Sequence, residues 1–335
     1  MKKFKNKNIL FSTDGILGYK ENVEKELREI FNVVDYIESD LPNKNERTFL
    51  FKVLRELSKK NKVIEKYYKE YIRKYSSFLL NSYKNIKFDY FFVVAGREFS
   101  KEFIQELKKR NENIKCILFL WDKLEYTTLR NSVDEFNYVF SFDPDDCKKY
   151  GFVFRPIFYI DECGENIIEY NERKYDIFYI GALREKRRYE YVEEAYRYSK
   201  KEGLFYFLKL FSNPRKNLNE KLLTTKKISY KDNRNLLKNS RVVLDLNFEK
   251  QSGLTIRASE AIGSKVKLIT TNKYIKDYDF YAEENIFYLE KKENFNLIPK
   301  EFFKTKFKNI PENIQYRYTT KGFIEEIFNK IGDEI

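Results

Sequence analysis

Short apolar runs ending in polar turns, each followed by a stretch of helical periodicity, recur along this chain, and that alternation decides its fold class. Residues 8–13 read as a strand that ends at Asp14-Gly15. A helix over 20–31 follows, with Val23, Leu27, Ile30 and Phe31 on one face, and 33–37 is the next strand. The long segment 47–83 places Leu50, Leu54, Leu57, Ile64, Tyr67 and Tyr71 at helical spacing. Strands return at 90–95 and 116–120 around a helix over 101–110, and 138–142 is a strand with a short helix behind it. This β-α-β order predicts a mostly parallel sheet with helices on both faces.

The order loosens over 161–173, which is polar and lacks periodicity, and then restarts. Strands are expected at 175–180, 204–210, 241–246, 265–270 and 285–289, with helices over 188–200, over 231–238 and from about 255 onward. Two doubly wound halves with a ligand cleft between them is the architecture this pattern implies. The expected division is an N-terminal domain over 1–160, a C-terminal domain over 161–316 and a terminal helical segment over 317–335 packing near their junction.

No histidine occurs in the 335 residues. That excludes histidine-ligated metals, Ser-His-Asp and Cys-His nucleophile systems, and a histidine general base. The cysteines, Cys116, Cys147 and Cys163, have no paired spacing, so neither a disulfide framework nor a structural zinc is expected. A reducing, cytoplasmic compartment fits that usage. The basic start has an apolar run too short for a signal peptide, and no apolar stretch is long enough to span a membrane. The net charge of +13 predicts a face that attracts anions. Heavy use of Lys, Asn, Ile, Tyr and Phe resembles the output of an AT-rich bacterial genome, so the 18% aromatic share is discounted as a functional sign.

Two junctions invite a phosphate-bearing ligand. At Phe178-Tyr-Ile-Gly181-Ala-Leu-Arg184-Glu-Lys186-Arg187-Arg188, a glycine ends a strand and basic residues open a helix. In doubly wound sheets that edge is where phosphates bind, and Arg184 and Arg187 would neutralise a diphosphate there. The alternative is a solvated basic turn, and the spaced glycines of a dinucleotide fingerprint are missing. The second junction is Gln251-Ser-Gly253-Leu-Thr255-Ile-Arg257-Ala-Ser-Glu260-Ala-Ile-Gly263, running on to Asn272. Amide donors at the helix start, with Thr255 and Arg257, suit phosphates, and Glu260, about one turn in, suits the two hydroxyls of a ribose. The alternative is an ordinary helix capped by Thr255, with Glu260 paired to Arg257.

The tract 251–272, with Tyr278-Asp-Phe-Tyr281 and Asn285-Ile286 after it, resembles bacterial glycosyltransferases of capsular polysaccharide and lipopolysaccharide synthesis. Trp121-Asp122, Phe140-Ser-Phe-Asp-Pro-Asp-Asp146 and Phe178–Arg188 are similar to that group too, so the resemblance spans most of the chain and is strongest over about 175–290. It implies the GT-B fold, with a nucleotide-sugar in the C-terminal half and an acceptor in the N-terminal half. It also implies that Glu260 holds the donor ribose and that Gly181, Arg184, Arg187, Gln251, Gly253, Thr255, Arg257 and Asn272 surround the donor. Common retaining members carry a further glutamate eight residues earlier, where this chain has Ser252; Glu249 is a candidate substitute or a plain surface glutamate.

Without histidine, an inverting reaction needs a carboxylate as base, and Asp122, then Asp14, are the candidates, each otherwise a loop carboxylate or helix cap. Gly96-Arg97-Glu98 is a further turn that could touch substrate. Asp143-Pro144-Asp145-Asp146 reads as a helix cap rather than a cation site. No metal and no cofactor beyond the nucleotide-sugar substrate is expected. Residues 44–74 hold eleven basic residues against four acids, a surplus of seven, interleaved with aromatics. They suggest a peripheral place on an anionic inner-membrane surface, near a lipid-linked glycan acceptor; the alternative is a solvated helix with its aromatics packed on the sheet. The rival readings are a sugar-nucleotide 2-epimerase on the same fold and a basic nucleic-acid-binding protein; no nucleic-acid motif is present, so no such partner is expected.

Overall fold

The computed structural model describes residues 4–13, 18–39, 49–58, 61–95 and 99–332. The chain divides into two compact units, Met1–Arg155 with Ile324–Ile335, and Pro156–Phe323. Each unit is built on a six-stranded sheet in which every pairing is parallel.

The first unit contains β1 (Asn8–Thr13), α1 (Tyr19–Ile30), β2 (Val33–Tyr36), α2 (Phe49–Ser58), α3 (Lys62–Asn81), β3 (Tyr90–Ala95), α4 (Lys101–Arg110), β4 (Lys115–Leu120), β5 (Tyr138–Ser141), α5 (Pro144–Tyr150) and β6 (Val153–Phe154). Its sheet order is β2-β1-β3-β4-β5-β6. Alternate residues of β3 and β4 point to opposite faces, yet Phe91, Phe92, Val93, Ile117, Leu118 and Phe119 are all fully buried. That is the mark of a parallel sheet covered on both sides. The long helical pattern over 47–83 is split, because Asn61 caps α3 by accepting from the Val63 and Ile64 amides. Near the C-terminus, Phe328 sets its ring 5.2–5.8 Å from those of Phe31, Tyr90 and Phe92. Cys116 and Cys163 are buried and Cys147 is partly so. Desolvation pushes the Cys116 and Cys147 thiols up to about 12, so they stay protonated.

The second unit contains β7 (Tyr175–Ala182), α6 (Lys186–Glu202), β8 (Tyr206–Phe211), β9 (Leu223–Thr224), α7 (Tyr230–Lys238), β10 (Ser240–Asp245), α8 (Ile256–Gly263), β11 (Lys267–Thr270), β12 (Ile286–Tyr288) and α9 (Glu312–Arg317). A last helix, α10 (Thr320–Lys330), follows. The sheet order is β12-β11-β10-β7-β8-β9. The two-residue edge strands β6 and β9 escaped the sequence reading because two residues cannot display a period. Of the helical segment expected over 317–335, the described residues form the last residue of α9, a break at Tyr318-Thr319, and α10.

Helix α8 is short, and its C-terminal end is set by close packing. A Cβ on Gly263 would lie 2.7 Å from the Tyr159 ring, so only glycine lets that turn rest against the aromatic face. Ser264 and Ser259 then tie the helix to the carbonyls of Cys163 and Phe158. Gly263→Ala should therefore destabilise this unit by about 1–3 kcal/mol through overpacking. The check is the urea midpoint of the variant; an unchanged midpoint would contradict the contact.

Candidate functional site

The strand order of the second unit reverses direction between β7 and β10. In doubly wound sheets, the carboxyl ends of the two strands at such a reversal leave an opening where ligands bind. Here those ends carry Gly181-Ala182 and Asp245. Contrary to the expected strand end at Gly181, β7 runs through it to Ala182. The glycine serves a steric purpose: a Cβ there would fall 2.5 Å from the Tyr179 hydroxyl. With that space free, the Tyr179 ring lies beneath the Arg257 guanidinium, 5.0 Å from its centroid. Arg257 also donates to the Ile180 carbonyl, which anchors α8 to the end of β7.

Asp245 closes the other side. Its carboxylate is buried and accepts hydrogen bonds from Thr255 at 2.8 Å and Thr270 at 3.0 Å. Burial pushes its pKa up, and the nearby Arg257 guanidinium opposes that shift. Thr255 in turn caps α8 by accepting from the Ala258 amide. The loop between β10 and α8 is held by two buried asparagines. Asn247 donates to the Gln251 carbonyl at 2.7 Å, and Asn272 donates to the carbonyls of Ser252 and Gly253 at 3.2 and 3.1 Å. Gln251, Gly253, Thr255, Arg257 and Asn272 thus belong to one rigid frame.

Glu260 lies one turn into α8 and is fully buried. Among the described residues its Oε1 has no hydrogen-bond partner, and it does not pair with Arg257. Desolvation alone pushes its pKa up to about 8. The Asn247 Oδ1 and Arg188 Nε atoms are also buried and unpartnered among the described residues. Native interiors leave few such groups, and each asks for an explanation such as a ligand.

The remaining candidates are more dispersed. Arg184 is exposed, and among the described residues its side chain has no partner. Arg187 stacks 5.1 Å from the Tyr191 ring and pairs with Glu249 at 3.3 Å. Arg188, named in sequence only as part of a basic run, is nearer the frame: it donates to the Ala182 carbonyl at 3.2 Å. Sequence reasoning missed Asp245, although an acid closing the apolar run Val242-Val-Leu244 was a visible signal. In the first unit, Asp122 is an exposed residue just after β4, next to Trp121, whose ring packs edge-on against Tyr19 at 5.1 Å. Asp14 and Gly96-Arg97-Glu98 lie outside the described residues. Asp143 caps α5, its Oδ1 accepting from the amides of Asp145 and Asp146, and Gly151 ends that helix with φ +74°.

No protein-family model matches the chain, and no curated protein matches its sequence significantly. Solved structures do match. An apo lipopolysaccharide outer core galactosyltransferase is similar over 96% of this chain and 99% of its own, with TM-score 0.50 and 10% identity. An alpha-glucosyltransferase solved with UDP and a mismatched 13-mer DNA is similar over 97% and 99%, with TM-score 0.56 and 12% identity. A UDP-GlcNAc 2-epimerase from Neisseria meningitidis bound to UDP-GlcNAc is similar over 97% and 100%, with TM-score 0.54 and 11% identity. At such identities the likeness is one of fold: two Rossmann-like units of the GT-B type.

The Glu260 carboxyl makes stability depend on pH. Its folded-state pKa, about 8, exceeds its ordinary value of 4.5, so the folded chain binds the extra proton between those limits. The Glu260 contribution to stability is therefore full below pH 4.5 and is lost as pH rises through about 8. Glu260→Gln should remove that decline. Urea midpoints of both proteins across this range are the check; parallel curves would refute the buried, unpaired carboxyl.

Proposed function

We propose that the protein is a glycosyltransferase that moves a sugar from a nucleotide-sugar donor to a growing surface glycan of the capsule or lipopolysaccharide type, without a metal ion. The observation that carries this reading is the buried Glu260 carboxyl, its Oε1 unpartnered among the described residues, behind a clamped loop at the sheet's reversal point. In this reading, Glu260 accepts the two hydroxyls of the donor ribose. Arg257 and the amide end of α8 face the diphosphate, with Arg184 and Arg187 as cations that offset its charge when the glycosidic bond breaks. Gly181, Gln251, Gly253, Thr255 and Asn272 shape the donor site. Asp122, or else Asp14, takes the proton from the acceptor hydroxyl, since no histidine exists to do so.

A sugar-nucleotide 2-epimerase is the second reading, favoured by the fold similarity to an enzyme of that activity. Incubation with a panel of nucleotide-sugars, followed by mass spectrometry and sugar analysis, separates the two. Slow release of free sugar marks the transferase, an isomeric sugar-nucleotide marks the epimerase, and no turnover counts against both. With the nucleotide the panel identifies, Glu260→Ala should bind at least tenfold more weakly, about 1.4 kcal/mol, while remaining folded. Unchanged affinity by calorimetry would remove Glu260 from the donor site.

The partners in this reading are the nucleotide-sugar, a glycan or lipid-linked glycan acceptor, and an anionic membrane surface met through residues 44–74, at the cytoplasmic face. Among the described residues no helix is long and apolar enough to cross a membrane. On α3, however, Val63, Tyr67, Tyr71 and Phe78 share one exposed face, opposite the buried Ile72, Ser76 and Leu80. Tyr67 and Phe78 are 68% and 69% exposed, so these aromatics do not pack on the sheet. Such a face beside a surplus of positive charge suits adsorption to anionic lipid. In liposome flotation, recovery with anionic vesicles should exceed that with neutral ones, and Tyr67→Ser with Phe78→Ser should lower it. Equal recovery on both vesicles would overturn the membrane partner.

A further inference from the structure

A second concavity of the same unit shares no residue with the donor frame. Along β8, Leu208 and Leu210 point into the buried core on one face of the sheet, while Phe207 and Lys209 point to the other. Helix α7 packs against β7 and β10 on that other face and leaves a groove of about 590 Å³ over β8 and β9. The volume lies within the range of small-molecule and oligomer sites. Tyr175 and Phe207 form an aromatic wall, their rings 5.7 Å apart. Thr224, Asn235 and Asn239 add neutral hydrogen-bonding groups. At either end of β8 the chain also exposes Phe205, 74% accessible, and Phe211.

The charge of the groove is one-sided. Lys174, Lys209, Lys226 and Lys227 line it, and among the described residues none is paired with a carboxylate. Lys209 donates to the Lys221 carbonyl at 2.7 Å, and Lys174 lies over the Tyr175 ring. The one acid in the lining, Asp232, already accepts at 2.7 Å from the hydroxyl of Ser229, the N-cap of α7. Clustered like charges raise the local potential, and an anionic occupant relieves it. Aromatic faces suit the apolar faces of sugar rings, amides and hydroxyls suit sugar hydroxyls, and lysines suit carboxylates. Together these select a ligand that is at once a carbohydrate and an acid.

We propose that this groove binds an acidic glycan chain, one bearing carboxylate groups, at a site separate from the donor frame. In the transferase reading it would retain the growing polymer between additions, and the identity of the occupant as a glycan rests on that reading. The binding itself needs no donor, so it is measured apart from turnover. By calorimetry on the full chain at low salt, hexagalacturonate should bind at least about tenfold more tightly than the neutral maltohexaose. Lys226→Glu with Lys227→Glu, both exposed, should weaken hexagalacturonate binding by about tenfold or more, and Glu260→Ala should leave it unchanged. Equal affinity for the neutral glycan, retention of affinity by the charge-reversal variant, or loss of affinity in Glu260→Ala would overturn the proposal. So would binding of decathymidylate with no binding of hexagalacturonate, which would mark a nucleic-acid platform instead. Failure of nucleotide-sugar turnover with these affinities intact would strike the transferase reading and leave the groove as an acidic-glycan site.

Discussion

A carboxylate shut away from water, Asp245, holds the candidate site together. Its position at the end of β10 is dictated by the sheet, and burying it is costly unless its oxygens find donors. Thr255 and Thr270 supply those donors, so one carboxylate joins the start of α8 to the end of β11. The same Thr255 hydroxyl accepts from Ala258 and sets where the helix begins. Arg257, two residues later, is thereby placed to reach the Ile180 carbonyl and the Tyr179 ring, and Gly181 leaves the space that ring needs. Strand, loop and helix therefore hold one geometry before any ligand arrives, which limits the ordering that binding would require.

Much of the fold was legible because parallel sheets write themselves in continuous apolar runs. The runs at 90–94, 116–120 and 242–246 are buried on both faces and left no ambiguity with loops. The sequence was blind where the signal is not periodic. Two-residue strands show no alternation, and Asn61, which divides α2 from α3, sits within a stretch whose hydrophobic spacing continues on both sides. For the site, Thr255 and Glu260 stood out by their distance from a glycine loop. The partner of Thr255 did not, because Asp245, and Thr270 that shares it, lie on neighbouring strands that only the sheet order brings together. The basic run 184–188 shows the same limit. Its charge was visible, but sequence alone could not tell that Arg188 turns toward the β7 end while Arg187 pairs with Glu249 and Arg184 stays in solvent.

Asp245 and Glu260 contrast satisfied with unsatisfied burial. Both are closed off from water and both have raised pKa values. Asp245 has its donors in the protein, so its cost is met within the fold. Glu260 lacks them at Oε1, and near neutral pH desolvation favours its protonated form. A ligand presenting hydroxyl donors would stabilise the ionised form and draw the pKa back down. Binding would then release a proton, and affinity would rise as pH climbs toward about 8. A structural glutamate with satisfied oxygens would show no such coupling, because its protonation would be the same with the ligand present or absent. In the proposed function, the unsatisfied oxygen would let a donor sugar be recognised by completing the protein's own hydrogen bonding.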